Sequence, residues 1–296
     1  MSGPVMTQDD VQRAAEILRA VRLGGRRFEG FPPACAPASE DDAYRVQDVL
    51  HAVLTGSGWG DLAGYKIGCT TPVMQTYLHI ENPCAGGVFL PTVHHRRGEL
   101  PREQFVRVGV ECEIAVRLAR DLTLAEATGT IGAISPPSSA GPPGPGAKAI
   151  RGGGLFTRED VARAVDACFA AIEVVEDRYV DYAALGAPPL IADDFFGAGC
   201  VLGEPQEGFD PRRLREVSAR MLINGKEVGV GVGTDVMGEP LDALAWLANT
   251  LARRGRYLRA GEVVLLGSLV QTHWIERGDE VLIQNDPLGS ASLLLV

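Results

Sequence analysis

The run from Phe105 to Leu118 constrains the chain most, because its apolar residues alternate: Val106, Val108, Val110, Cys112, Ile114, Val116 and Leu118 share one parity. Successive side chains of a strand point to opposite faces, so this pattern predicts a half-buried strand. The other parity carries Glu111 and Glu113, which therefore point to the same side. Like charges so close repel unless solvent or a cation relieves them. A hard divalent ion such as Mg2+ or Mn2+ takes oxygen ligands. A solvated outer face accommodates two glutamates equally well, and the pair alone does not choose.

A third carboxylate has a more telling setting. Glu173 lies within Ala171-Ile172-Glu173-Val174-Val175, apolar enough to be buried, and a buried glutamate is rarely left unpaired. Glu176 and Asp177 read as strand-end or loop residues. Lys66, in Gly64-Tyr65-Lys66-Ile67-Gly68, either faces a substrate carboxylate, transfers a proton with a pKa lowered by burial, or decorates an edge strand. Asp193 and Asp194 follow Pro188-Pro189-Leu190-Ile191-Ala192 and either orient water or catalytic groups or cap a turn.

Around these residues the chain reads as helices followed by strands. Thr7-Gln8-Asp9-Asp10 and Ser39-Glu40-Asp41-Asp42 are helix starts, each followed by apolar residues at helical spacing. Residues 1–62 are expected to form an N-terminal helical subdomain and residues 63–296 a strand-rich catalytic domain. Gly129 to Gly154, rich in Gly, Pro, Ser and Ala, has almost no large apolar side chain and predicts a flexible insertion. Thr157-Arg158-Glu159-Asp160 predicts a third helix carrying Val161, Ala164, Val165, Cys168 and Phe169, leading into a strand at Ala171 to Val175. Asn224-Gly225 between Ile223 and Val228 predicts a hairpin turn, and Leu241 to Leu251 a last helix. Short strands from Val263 to Val296 complete an α+β chain with a curved, mostly antiparallel sheet or roll.

Bulk properties remove whole classes. A net charge of −10 repels phosphate backbones, so nucleic acid is a poor partner. The start carries no basic and apolar leader, and no apolar run approaches the ~20 residues that span a bilayer. Cys35, Cys69, Cys84, Cys112, Cys168 and Cys200 are scattered without a C-x-x-C spacing, which predicts reduced, buried thiols in a cytoplasmic protein. Neither Gly64 to Gly68 nor Gly225 to Gly233 forms a dinucleotide or phosphate loop. Neighbouring His94 and His95 point apart on a strand, and Gly267-Ser268 lacks the serine-hydrolase elbow.

Four ordered segments resemble one family. Gly64-Tyr-Lys-Ile-Gly-Cys-Thr-Thr-Pro-Val-Met-Gln75, Val110-Glu-Cys-Glu-Ile114, Ile172-Glu-Val-Val-Glu-Asp-Arg178 and Val236 to Asn249 are similar to the 2-oxopent-4-enoate hydratase and 4-oxalocrotonate decarboxylase group of the fumarylacetoacetate hydrolase superfamily. The resemblance runs from the N-terminal helices to Gly289-Ser290, apart from the 129–154 tract. It implies a mixed β-roll and a Mg2+ or Mn2+ site on Glu111, Glu113 and Glu173. It further implies a small-molecule 2-oxo acid substrate near Lys66 and Ser268, with Lys66 and Asp193 as catalytic candidates. The implied reaction is hydration of 2-hydroxypenta-2,4-dienoate or a substituted relative, as in aromatic-compound catabolism. Decarboxylation of 4-oxalocrotonate, C–C hydrolysis of an acylpyruvate, or a catalytically degraded partner subunit are the alternatives. A homo-oligomer is expected, with a hydratase or decarboxylase paralogue as a further partner.

Three departures bear on the substrate. The family's Glu-Pro-Asp reads Asn82-Pro83-Cys84, and a thiol is a poor acid substitute at neutral pH. The usual Asp-Asn-x-Ser reads Asp193-Asp194-Phe195-Phe196, a bulkier and more apolar wall. The 129–154 tract is longer than the family's usual connection.

Overall fold

The computed structural model describes residues 5–123 and 155–296; the 129–154 tract lies outside the described residues. Two helices open the chain, as their caps predict. α1 (Gln8–Gly24) starts where Thr7 accepts the Asp10 N–H, and α2 (Glu40–Leu54) where Ser39 accepts the Asp42 N–H. They pack on one another through Val11, Ala14, Leu18, Val46 and Leu50, all fully buried. A single continuous apolar core joins these helices to the sheets that follow.

The strands are β1 (Leu62–Gly68), β2 (Cys84–Phe89), β3 (Val93–His95), β4 (Arg97–Leu100), β5 (Val108–Leu118) and β6 (Val165–Glu176). They continue with β7 (Gly197–Leu202), β8 (Ser218–Ile223), β9 (Lys226–Val232), β10 (Val263–Trp274), β11 (Glu280–Asp286) and β12 (Gly289–Leu295). One sheet has the order β2-β1-β10-β5-β6-β7-β3 and the other β4-β12-β11-β8-β9. Both are mixed: β1 runs parallel to β10, and β4 to β12, among mainly antiparallel neighbours. This is the α+β roll that the strand-rich back of the chain predicts.

Two local expectations are corrected. β5 is not half-buried: Cys112, Ile114 and Val116 enter the main core, while Ala115, of the glutamate parity, joins a second apolar cluster with Phe169, Ala171 and Leu265. A strand in the middle of a seven-stranded sheet is covered on both faces, and alternation reports only the more apolar one. The third helix is also shorter than its periodicity suggests. α4 (Arg158–Ala162) keeps the Thr157–Asp160 capping box, but Val165, Cys168 and Phe169 belong to β6, where pairing with β5 wins over helical spacing.

The remaining elements follow their signals. Asn224 (φ 52°) and Gly225 (φ 76°) turn the β8–β9 hairpin, and α7 (Pro240–Arg253) packs its apolar face inward. Three short helices lie on connections between strands of the first sheet, α3 (Pro72–Leu78) between β1 and β2, and α5 (Tyr182–Leu185) and α6 (Ala187–Ala192) between β6 and β7. All six cysteines are buried free thiols. Among the described residues no helix is long and apolar enough to cross a membrane.

Candidate active site

Pairing between β5 and β6 sets Glu111 directly opposite Glu173, with Glu113 two residues further along the same face. The three carboxylates come within 4.8 Å of one another. Glu113 and Glu173 are fully buried and Glu111 is half-buried. β1, across β10 from them, contributes Lys66, whose Nζ lies 3.0 Å from Glu173 Oε1.

β10 does more than separate β1 from β5. Its pairing with β5 slips between Leu265 and Ser268, because an extra residue is accommodated there. At this bulge Gly267 adopts φ 128°, and its N–H donates to Glu113 Oε2 at 3.0 Å. A Cβ at this position would meet the Thr70 side chain at 2.6 Å. Further along, Thr272 Oγ1 donates to Glu111 Oε1, and Asn285 of β11 donates to the Glu113 carbonyl at 2.7 Å.

Even so, the acidic cluster is under-partnered. Among the described residues Glu113 Oε1 and Glu173 Oε2 are buried and have no hydrogen-bond partner. Burial and the neighbouring Glu173 and Glu111 push the Glu113 carboxyl well above its usual range. Burial likewise raises Glu173, against the attraction of Lys66. Three carboxylates face one ammonium, and the unfilled oxygens are hard donors aimed at a common point. This donor set fits a divalent cation such as Mg2+ or Mn2+.

Lys66 corrects one expectation. Burial alone would lower its pKa, but in the metal-free site attraction to Glu173, Glu111 and Glu113 outweighs burial and raises it. Its Nζ also sits 5.3 Å from the centre of the Phe195 ring. Lys66, Glu111 and Ser268 border one cavity of about 650 Å3. Ser268 Oγ donates to the Val270 carbonyl at 2.6 Å, leaving its lone pairs as acceptors.

Asp193 is placed elsewhere. It is fully buried and does not line the cavity. Arg22 donates to its Oδ1 at 2.6 Å, while Arg178 and the Tyr179 hydroxyl donate to its Oδ2 at 2.8 and 2.9 Å. Its carboxylate is saturated by these donors, so a direct catalytic role is corrected to one of support. Asp194 is held by His51 Nε2 at 2.6 Å, by the Gly87 N–H at 2.7 Å and by Arg22 at 2.9 Å. Burial pushes the Asp194 carboxyl up, but His51 and Arg22 outweigh it and hold it well below the usual carboxylate range. These anchors sustain three consecutive left-handed residues, Asp194 (φ 53°), Phe195 (φ 48°) and Phe196 (φ 64°).

Sequence reasoning did not single out Arg22, His51, Gly267 or Thr272. The first two act from the N-terminal helices across long chain separations, and the last two depend on a bulge that no local pattern announces.

The fold and the acidic cluster define a mixed β-roll of the fumarylacetoacetate hydrolase type, with a hard-oxygen site beside a buried lysine. Residues 148–292 match a family model described as Fumarylacetoacetate (FAA) hydrolase C-terminal. It is 27% identical over 283 residues to 2-keto-4-pentenoate hydratase 1 of Dechloromonas aromatica (strain RCB), covering 96% of each chain. It is 28% identical over 299 residues to 2-hydroxyhexa-2,4-dienoate hydratase of Comamonas testosteroni, covering 99% of this chain and 98% of that one. In fold it is similar to 4-oxalocrotonate decarboxylase from Pseudomonas putida G7, a structure complexed with magnesium and adipate. That likeness has a TM-score of 0.80 at 23% identity and covers 99% of this chain and 100% of that one.

Proposed function

We propose that this chain is a divalent-metal-dependent hydratase. It adds water to 2-hydroxypenta-2,4-dienoate, or a substituted relative, and gives a 4-hydroxy-2-oxo acid. The observation that carries the reading is the convergence of Glu111, Glu113 and Glu173 beside Lys66, with Lys66 and Glu111 lining one cavity. Relatives aligned over nearly the whole chain bear hydratase names. Glu111, Glu113 and Glu173 would hold Mg2+ or Mn2+, which supplies Lewis-acid attraction for the oxygens of a 2-oxo acid.

The chain's own residues do the rest. Lys66 Nζ orients the acid by charge and is the proton-bearing group at the cavity wall. Ser268 Oγ offers an acceptor to a substrate hydroxyl or to water. In the reaction the dienol loses its 2-hydroxyl proton and gains one at C5, leaving a conjugated 2-oxo-3-ene. Water then adds with its hydroxyl at C4 and a proton at C3. Gly267 and Thr272 position Glu113 and Glu111, and Asp193 is a positioning residue beneath Phe195. Action on a small molecule in the cytoplasm, as a homo-oligomer, is part of the same proposal; the six free thiols support a reducing compartment.

A second reading is decarboxylation of 4-oxalocrotonate. Cys84 favours it: fully buried, with its thiol pushed up by Cys69 and by burial, it offers no acid to direct water. One assay separates the two. Dienoate, oxalocrotonate and acylpyruvate are offered with Mg2+ or Mn2+ and followed by ultraviolet absorbance. Fastest loss of the dienoate supports hydration, fastest loss of oxalocrotonate supports decarboxylation, and no turnover of any removes both.

A further inference from the structure

We propose that the cavity selects 2-oxo acids whose far end is a bulky neutral apolar group and rejects those with a second carboxylate there. The inference rests on the reading of the site just given and deepens it. The cavity holds about 650 Å3, within the range of pockets that enclose drug-sized ligands, so a five-carbon acid leaves most of it unfilled. Its polar end is fixed by Lys66, Glu111 and Ser268. The remainder is walled largely by apolar side chains, Phe195, Phe196, Tyr182, Trp274 and Leu269 among them, with Thr70, Thr71 and Gln271 as neutral polar members.

Charge on this wall runs the wrong way for a dicarboxylate. Among the described lining residues Lys66 is the sole cation, at the polar end and committed to Glu173, and Asp235 adds an acidic side chain to the rest. Arg107 stacks on the Trp274 ring at 4.1 Å but pairs with Asp177 at 3.3 Å and does not line the cavity. A second carboxylate would lose its water against aromatic faces with no counter-charge to meet.

The aromatic wall is also rigid. Phe196 packs edge-on against Tyr179, Tyr182 and Phe195, with ring centres 5.0–5.5 Å apart. The backbone beneath is the left-handed run that the Asp193 and Asp194 networks secure. Preformed apolar surface of this kind costs little ordering when a ligand arrives.

The test is calorimetric binding to the intact protein saturated with Mg2+, using three saturated probes: 2-oxopentanoate, 2-oxo-6-phenylhexanoate and 2-oxoheptanedioate. The phenyl probe should bind at least ~10-fold tighter than 2-oxopentanoate, and the diacid at least ~10-fold weaker than the phenyl probe. Phe196→Ser should lose at least ~5-fold more affinity for the phenyl probe than for 2-oxopentanoate, whereas Phe196→Leu, which keeps an apolar side chain, should retain the preference. A diacid that binds as tightly as the phenyl probe, or a phenyl probe no tighter than 2-oxopentanoate, overturns this selectivity and leaves the hydratase reading intact. Binding of none of the three overturns both.

Discussion

Lys66 Nζ and Glu173 Oε1 form a buried ion pair at 3.0 Å between strands that are not neighbours in the sheet. The pair ties β1 to β6 across the width of β10 and β5, and among the described residues it is the one ion pair in a cluster that is otherwise acidic.

Replacing Lys66 with Met removes this charge and keeps the side-chain bulk. We expect kcat/KM to fall by about a hundredfold or more, because a preorganised charge at a reacting group is typically worth that much. The metal-free protein should also melt lower, since Glu173 loses its buried partner. Added Mg2+ should then raise the melting temperature more than in the parent. Unchanged activity would show that Lys66 is only structural.

The double change Glu111→Gln with Glu113→Gln tests the metal site directly. In the parent, Mg2+ or Mn2+ should raise the melting temperature by mass action. The variant should lose that rise, while its metal-free form melts as high as the parent or higher, because mutual repulsion is relieved. A parent that shows no metal response refutes the site.

Gly267→Ala probes the bulge. A Cβ there would sit 2.6 Å from Thr70 on a left-handed backbone, so a cost of about 1–3 kcal/mol is expected in denaturant unfolding. The displaced N–H no longer holds Glu113, and Mg2+ affinity should fall by about tenfold to a hundredfold, since a charge-assisted hydrogen bond is worth on the order of 1.5–3 kcal/mol. Loss of stability with intact metal affinity would show that Glu113 is held by other contacts.

Acid unfolding should report Asp194. His51 and Arg22 hold its folded-state pKa below the unfolded value of about 3.9, so its contribution is present above pH ~4 and is lost as pH falls further. Stability measured between pH 5 and pH 2 should therefore drop less steeply in Asp194→Asn than in the parent, whatever the starting stability of the variant. Equal slopes would mean that the carboxylate takes up no extra proton on unfolding.

How far the sequence reaches is clearest at individual residues. Glu111 and Glu113 share a face because strand parity is local, and Glu173 stands out because a glutamate in an apolar run needs a partner. The capping residues Thr7, Ser39 and Thr157 place their helix starts for the same local reason. Val165, Cys168 and Phe169 mislead because their spacing suits a helix, while the pairing that makes them a strand lies some fifty residues away, on β5. Asp193 misleads in another way. Its sequence setting suits water-handling and burial alike, and only the arrival of Arg22, more than 150 residues earlier in the chain, decides the matter. The direction of the Lys66 pKa depends on three carboxylates that only the fold gathers.

The central place of β10 also sets a timetable for the protein's birth. β1 and β5 border it on either side and do not pair with each other, so a nascent chain that has not yet emitted residues 263–274 has a gap where the site belongs. Lys66, Glu111, Glu113 and Glu173 can all have left the ribosome while the strand that spaces and braces them is still in the exit tunnel. Ion capture by the proposed site would therefore come late, coupled to closing the sheet by its most distant partners, and slow as long-range strand pairing is slow.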